Sequence, residues 1–193
     1  MLITANSLNT SIYPNNGVSI YVSKLNGNDT TGTGGFFSPL KTMNAALTLC
    51  RGLSGTYFFI NVVDAETYDE AMLLDISVNI YAPAATFSCS TATTFTLTGS
   101  GVVINASVIQ SLAGDAVLNN AGYPIINFNA SFAGDFVNNA GGTTSTIFAN
   151  TIFGSVTNPG SSARTIINLA AAIGGSAGSG TFCPWSNTLT PAS

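Results

Sequence analysis

Two aspartates, Asp115 and Asp135, stand at the same place in a phrase that returns after twenty residues. If one repeat forms one coil of a stacked structure, we expect their carboxyl groups to lie about 4.8 Å apart. Like charges at that distance raise the pKa of one group, and glycoside hydrolysis needs one protonated and one ionised carboxyl group roughly 5 to 9.5 Å apart. The alternative is structural, because aspartate is also a favoured residue of exposed, glycine-flanked turns.

Other catalytic chemistries have less support in the sequence. The chain contains no histidine, which excludes Ser-His-Asp and Cys-His catalysis and metal sites with imidazole ligands. No glycine-rich loop leads into Gly-Lys-Ser or Gly-Lys-Thr, which argues against nucleotide binding. A polysaccharide lyase needs acidic Ca²⁺ ligands and a base, but Arg164 is the one basic residue of the coil region and has no acidic cluster beside it. We therefore predict no cofactor, no metal and no catalytic residue, with Asp115 and Asp135 as the alternative catalytic pair.

Neither the cysteines nor a threonine-rich run indicates a site. Cys50, Cys89 and Cys183 stand far apart and form no CxxC pair, so we predict buried free thiols. The run Thr91–Thr98 admits a flat threonine array that binds ice, but it spans less than one coil.

The composition is unusual in its charge. Charged residues make up 6% of the 193 residues, against roughly 25% in typical soluble domains. The net charge of −4 leaves no basic stripe for nucleic acid. The first residues lack a basic and an apolar region of a secretory signal, and no apolar run is long enough to span a bilayer. Such a weakly charged surface predicts extensive contact with other subunits.

The repeated phrase predicts a solenoid. Gly114, Gly134, Gly154 and Gly174 keep a strict spacing of twenty residues, which is typical of repeats that each stack on their neighbours. We expect six or so coils of parallel strands, with the glycines and asparagines at the corners. Stacked asparagines should form two ladders, one from Asn119–Asn120, Asn138–Asn139 and Asn158, the other from Asn105, Asn129 and Asn150.

Four segments are expected along the chain: an N-terminal arm (1–19), a strand, loop and helical cap (20–55), the coils (56–175), and a C-terminal tail or cap (176–193). Ser38 is the expected N-cap of the helix, Pro39 its first residue and Gly52 its C-terminal glycine. Its apolar face comprises Leu40, Met43, Leu47 and Cys50. The run Thr56–Val63 is expected to be a strand buried on both sides.

The N-terminal quarter resembles a known superfamily. Tyr21–Ser23, Gly27–Asp29, Gly32–Gly34 and Pro39–Ala46 follow one another as in the first segment of right-handed parallel β-helix proteins, which include pectate lyases and many phage tailspikes. In that family an extended piece, a polar loop and a P-F-K-T-I-x-x-A helix cap the first coil; Leu40 stands here in place of the usual aromatic residue. The resemblance implies an all-β, right-handed parallel β-helix with a short N-terminal capping helix, and it implies no activity.

The segment Asp64–Glu70 resembles the D-G-x-Y-x-E corner of the same family. It holds four of the eight acidic residues, Asp64, Glu66, Asp69 and Glu70. We interpret it as a solvated turn, with a cation or sugar site as the alternative.

These observations favour a structural protein of a virion surface, such as a head decoration, fibre or spike subunit. We expect a homo-oligomer, by analogy a trimer, attached to other virion proteins through the arm or the tail. The alternative is a tailspike-type protein that binds or depolymerises a bacterial surface polysaccharide. Several phenylalanines exceed what a thin column hides and are expected in part to face a partner: Phe128, Phe132, Phe136, Phe148 and Phe153.

Overall fold

The computed structural model of the protein describes residues 17–54, 57–120, 125–139, 144–149, 151–159, 164–169 and 181–184. This part of the chain is a parallel β-solenoid of about four turns with one helix. Its elements, in chain order, are β1 (Gly17–Val22), α1 (Met43–Gly52), β2 (Tyr57–Val62), β3 (Thr67–Asp69), β4 (Met72–Leu74), β5 (Val78–Ser88), β6 (Phe95–Leu97), β7 (Val103–Gln110), β8 (Val117–Asn119), β9 (Ile125–Ala133), β10 (Phe136–Asn138), β11 (Thr144–Ala149), β12 (Thr151–Phe153), β13 (Val156–Thr157), β14 (Arg164–Leu169) and β15 (Thr181–Pro184).

The described strands form two sheets, and all of their pairings are parallel. The larger sheet has the order β1-β2-β5-β7-β9-β11-β14-β15, with β3 beside β5 and β12 beside β9, and the smaller sheet has the order β13-β10-β8-β6-β4. Shifts of register between Ala82 and Thr86 and between Ala106 and Val108 divide the long strands into two halves. The predicted stacking of parallel coils is therefore confirmed.

Columns of aliphatic side chains fill the interior. Ile60 pairs with Ile80 and Ile80 with Ile104, and all three side chains are fully buried. Each such side chain contributes about 1.5–3 kcal/mol of hydrophobic stabilisation. In β2 the inward residues are buried, while Tyr57, Phe59 and Asn61 are only partly so. The prediction that this strand is buried on both sides is wrong, because one face of every strand points out of the column.

The helix begins later than predicted. Thr42 is its N-cap, and the Thr42 hydroxyl accepts a hydrogen bond from the Ala45 N–H. Ser38 and Pro39 precede the helix because Leu40 forms a β-bridge with Val22. The predicted end at Gly52 is confirmed. The buried face consists of Met43, Ala46, Leu47 and Cys50, which join the same apolar core as the strands.

The repeated phrase contains short strands as well as corners. β8, β10 and β13 lie inside it and form part of the smaller sheet, so its description as a corner was incomplete. Gly154 explains why glycine recurs: its φ is +152°, and a Cβ there would overlap the Gly134 backbone of the preceding coil. The larger sheet also continues past the repeats, since β15 pairs with β14 inside the expected tail or cap.

One of the two predicted asparagine ladders is confirmed. The buried Asn119 Nδ2 donates to Asn138 Oδ1 at 2.8 Å and to Ser145 Oγ at 3.3 Å. Outside the column, Asn139 Nδ2 donates to Asn120 Oδ1 at 3.3 Å. An inner polar ladder therefore replaces apolar side chains in these coils.

Asn158, the last predicted member of this ladder, accepts a hydrogen bond from Thr165 Oγ1 at 2.6 Å on its Oδ1, and its buried Nδ2 has no hydrogen-bond partner among the described residues. The second predicted ladder is wrong in register, because Asn105 pairs with Asn127 and not with Asn129. Its third member, Asn150, lies outside the described residues.

Replacing a buried ladder asparagine should destabilise the protein. We expect Asn138→Ala to lower the free energy of unfolding by about 1–3 kcal/mol, because the buried Asn119 amide loses the nearer of its two acceptors. The exposed neighbour Asn139 provides the control. Asn139→Ala should change the free energy of unfolding by less than about 0.5 kcal/mol. Chemical denaturation followed by circular dichroism measures both; equal effects would contradict the ladder's structural role.

Candidate functional site

The structure brings Asp115 and Asp135 together on neighbouring coils. Asp115 precedes β8 and Asp135 precedes β10, and the Ala116 N–H donates to the Asp135 carbonyl oxygen at 2.8 Å. The Asp135 carboxylate in turn accepts the Ser155 N–H of the next coil at 2.8 Å. The repeat therefore places one polar side chain per coil along this edge.

The environment of the two carboxyl groups differs. Partial burial raises the pKa of Asp115, and the charge of Asp135 raises it further. Asp135 itself is exposed. An acid that keeps its proton to higher pH beside a second carboxyl group is the arrangement that general acid catalysis uses. The hydrogen bond from Ser155 also gives Asp135 a structural task.

A second polar cluster joins the N-terminal segment to the first coil. We call it the N-terminal junction; its residues are Ser23, Lys24, Asp64, Tyr68 and Glu70. The Tyr68 hydroxyl donates to Asp64 Oδ1 at 2.8 Å and accepts the Lys24 N–H at 2.9 Å. Ser23 Oγ donates to Asp64 Oδ2 at 2.9 Å. Residues about forty positions apart in sequence are thereby fastened together.

The junction shifts the acidity of its members. Burial raises the pKa of Tyr68, and its hydrogen bond to Asp64 adds to the increase. Partial burial also opposes ionisation of Asp64, but hydrogen bonds from Tyr68, from the Leu25 N–H and from Ser23 outweigh it and lower its pKa. The ionised form of Asp64 is therefore the one that the fold stabilises.

Glu70 binds the N-terminus of α1. Its two carboxylate oxygens accept the Met43 and Asn44 N–H groups, each at 2.9 Å. A carboxylate at this end of a helix also interacts favourably with the helix dipole. Because Asp69 similarly accepts the Ser90 N–H at 2.8 Å, three of the four clustered acids hold parts of the chain together.

Asp29 performs the same task in the N-terminal loop. It accepts the N–H groups of Lys41 and Thr42 and the Thr42 hydroxyl. Burial opposes its ionisation, but these hydrogen bonds lower its pKa overall. The sequence did not reveal these roles, because the hydrogen-bond partners lie 12 to 44 residues away and no local pattern indicates them.

A small cleft opens at the junction. It has a volume of about 150 Å³, below the roughly 300–1,000 Å³ of typical ligand pockets. Its lining residues are Lys24, Lys41, Thr42, Tyr68, Asp69 and Glu70. Since the Glu70 carboxylate already binds the helix, little of this polar surface is left for a ligand.

The other candidate residues are dispersed. Arg164 begins β14. Thr94 is buried and donates to the Gln110 carbonyl oxygen, so the threonine run is no flat array. Cys50 and Cys89 are buried free thiols, as predicted, and burial raises the pKa of Cys50 to about 12. The Cys183 side chain lies outside the described residues.

The described ranges contain neither a cluster of metal-binding side chains nor a membrane-spanning helix. No group of three or more His, Cys, Asp or Glu side chains there is placed to hold a metal ion. Within the same ranges, no helix is both long and apolar enough to cross a membrane.

Comparison of the chain with protein-family models, with characterised proteins and with solved structures finds no significant match. Its function must therefore be inferred from its own residues.

Two carboxyl groups, Asp29 of the N-terminal loop and Asp64 of the junction, should make the free energy of unfolding depend on pH in the acid range. Because the pKa values of Asp29 and Asp64 are lower in the folded state, their stabilisation is present above the unfolded value of about 3.9 and is lost as pH falls through the folded values. We expect Tyr68→Phe to lower stability at pH 7 by about 1–3 kcal/mol and to weaken this acid dependence. Tyr57→Phe is the control, because Tyr57 is partly exposed and lies outside the junction. Denaturation from pH 2 to 7 measures the effect, and parallel curves for Tyr68→Phe and the unaltered protein would refute it.

Proposed function

We propose that this chain is a structural subunit of a virion surface, as a head decoration, fibre or spike protein. It works as a homo-oligomer, with a trimer as the expected form. Its solenoid is a right-handed parallel β-helix capped by α1, as in the superfamily that its N-terminal quarter resembles. The arm and the tail attach it to other virion proteins.

The distribution of charge carries this proposal. Nine of the twelve charged residues lie before residue 76, and the remaining 118 residues contain only Asp115, Asp135 and Arg164. The described coils therefore present outward surfaces of threonine, asparagine and apolar side chains, as in the column Leu73, Thr96, Leu118, Val137 and Thr157. Uncharged outer surfaces of this kind favour association with similar surfaces, because neither partner has to desolvate a charge.

The position of α1 supports the capping role. Its buried residues belong to the core that includes Ile20 and Ile60 of the first strands. The first coil of a solenoid has no preceding coil to cover its interior, so an amphipathic helix there removes apolar surface from water. A crystal structure would settle both the hand of the coils and this cap.

Labelling of particles tests the virion role. Antibodies against the purified protein should decorate the outside of intact particles from the source of the gene, and capsid or tail genes should adjoin it. Labelling that requires disrupted particles, or a gene among unrelated metabolic genes, would contradict the proposal. The mass of the purified protein at micromolar concentration should be that of an oligomer.

The raised pKa of Asp115 beside Asp135 favours one alternative, a spike that depolymerises a bacterial surface polysaccharide. Incubation with host capsule or lipopolysaccharide should then shorten the glycan, and Asp115→Asn or Asp135→Asn should abolish that activity. Unchanged glycan length would leave the structural role.

A further inference from the structure

Two phenylalanines occupy the tip of a tight turn near the N-terminal end of the solenoid. The Ser38 N–H donates to the Gly35 carbonyl oxygen at 3.0 Å, so Phe36 and Phe37 are the two central residues of a β-turn. Their side chains are 58% and 89% exposed. Glycine, proline, asparagine, aspartate and serine dominate such positions. Two exposed phenyl rings there cost solvation energy unless something covers them.

The turn is held in place by the loop around it. The Tyr21 N–H donates to the Gly34 carbonyl oxygen at 2.8 Å. The Gly34 N–H in turn donates to the Ser38 carbonyl oxygen at 3.0 Å. Gly34 is buried with a φ of +76°, and a Cβ there would press on Leu49. With Asp29 binding the other end of the loop, the rings are presented on a rigid support, which lowers the entropy cost of burying them in a contact.

The exposed rings continue onto the outer face of the larger sheet. Phe36 stacks edge-on against Phe37 at 5.1 Å and against Tyr21 at 5.3 Å, measured between ring centroids. Tyr21 pairs in register with Asn61, and Asn61 pairs with Tyr81, which is 52% exposed. We call Tyr21, Phe36, Phe37 and Tyr81 the aromatic patch.

We propose that the aromatic patch is the contact between copies of this chain, where it meets the equivalent patch of a neighbouring copy around a rotation axis. This inference rests on the homo-oligomer proposed above. The patch contains no charged side chain, so a second uncharged apolar surface fits it, and every copy supplies one. Three such patches arranged around a threefold axis also close the assembly, whereas a contact whose rotation does not close leads to open filaments.

The area of the patch suits this role. An aromatic side chain can bury about 150–250 Å², and the exposed fractions of Phe36, Phe37 and Tyr81 supply a part of the roughly 800 Å² per partner in a standard interface. Tyrosine is also among the residues that dominate binding energy at such contacts.

The charge of the N-terminal part of the chain argues against a membrane as the partner of the patch. Between residues 17 and 75 the acidic side chains outnumber the basic ones: Asp29, Asp64, Glu66, Asp69, Glu70 and Asp75 against Lys24, Lys41 and Arg51. This excess of negative charge repels the anionic surface of a bilayer.

Sedimentation of the full chain over a dilution series tests the patch. We expect the double substitution Phe36→Ser and Phe37→Ser to raise the dissociation constant of the oligomer by about 100-fold or more, since two exposed anchors are lost. Tyr81→Ser should raise it less. Leu112→Ser is the matched control, because Leu112 is 73% exposed but lies in the turn between β7 and β8; it should leave the constant unchanged. Thermal unfolding should confirm that the variants fold.

The possible failures are distinguishable. A monomeric unaltered protein would overturn both the homo-oligomer and the patch. An oligomer that persists in the double variant, or one weakened equally by Leu112→Ser, would overturn the patch alone. Flotation with vesicles of phosphatidylcholine, with or without phosphatidylserine, that disappears in the double variant would replace the proposed contact by a membrane.

Discussion

In-register stacking of parallel coils is the constraint on which the rest of this structure depends. Each strand hydrogen-bonds to its counterpart one coil away, at about 4.8 Å. A side chain that points inward therefore meets the side chain at the equivalent place above and below it. Ile60, Ile80 and Ile104 form one such column, and Asn119 and Asn138 form another whose amides bind each other. Gly154 is tied to Gly134 by the same spacing, because nothing larger fits between two stacked backbones.

The N-terminal end of the described sheet has a different requirement, since β1 pairs with β2 on one side only among the described strands. The chain concentrates most of its charge there and uses it in hydrogen bonds that hold the loop, α1 and the first coil together. Asp29, Asp64 and Glu70 each accept two or more hydrogen bonds from residues distant in sequence. Groups that would be candidates for catalysis in another protein are thus engaged in structure, and Asp115 and Asp135 are the acidic pair of the later coils.

Because the later coils carry few charged residues, their outer surfaces neither repel one another nor require the desolvation of ions on contact. Together with a rigid aromatic turn at one end, such surfaces suit a protein that is one unit of a larger assembly. The edges of the stack are consistent with this view, because an unpaired end of a parallel sheet exposes backbone groups that must be covered. Association and capping are two solutions to one physical requirement.

The sequence by itself determined the stacked parallel coils and the ladder of Asn119 and Asn138, because both follow from a local pattern that repeats. It also determined the buried thiols Cys50 and Cys89, because the cysteines stand far apart and form no CxxC pair. Tertiary structure decided the rest. The start of α1 moved to Met43 since Leu40 pairs with Val22, and Asn105 met Asn127 because β7 and β9 pair with an offset of 127 − 105 = 22 residues at this point. The tasks of Tyr68 and Glu70 depend on partners 27 to 44 residues away. Repetition along a chain predicts what stacks, but only the closed coil decides which distant residues meet.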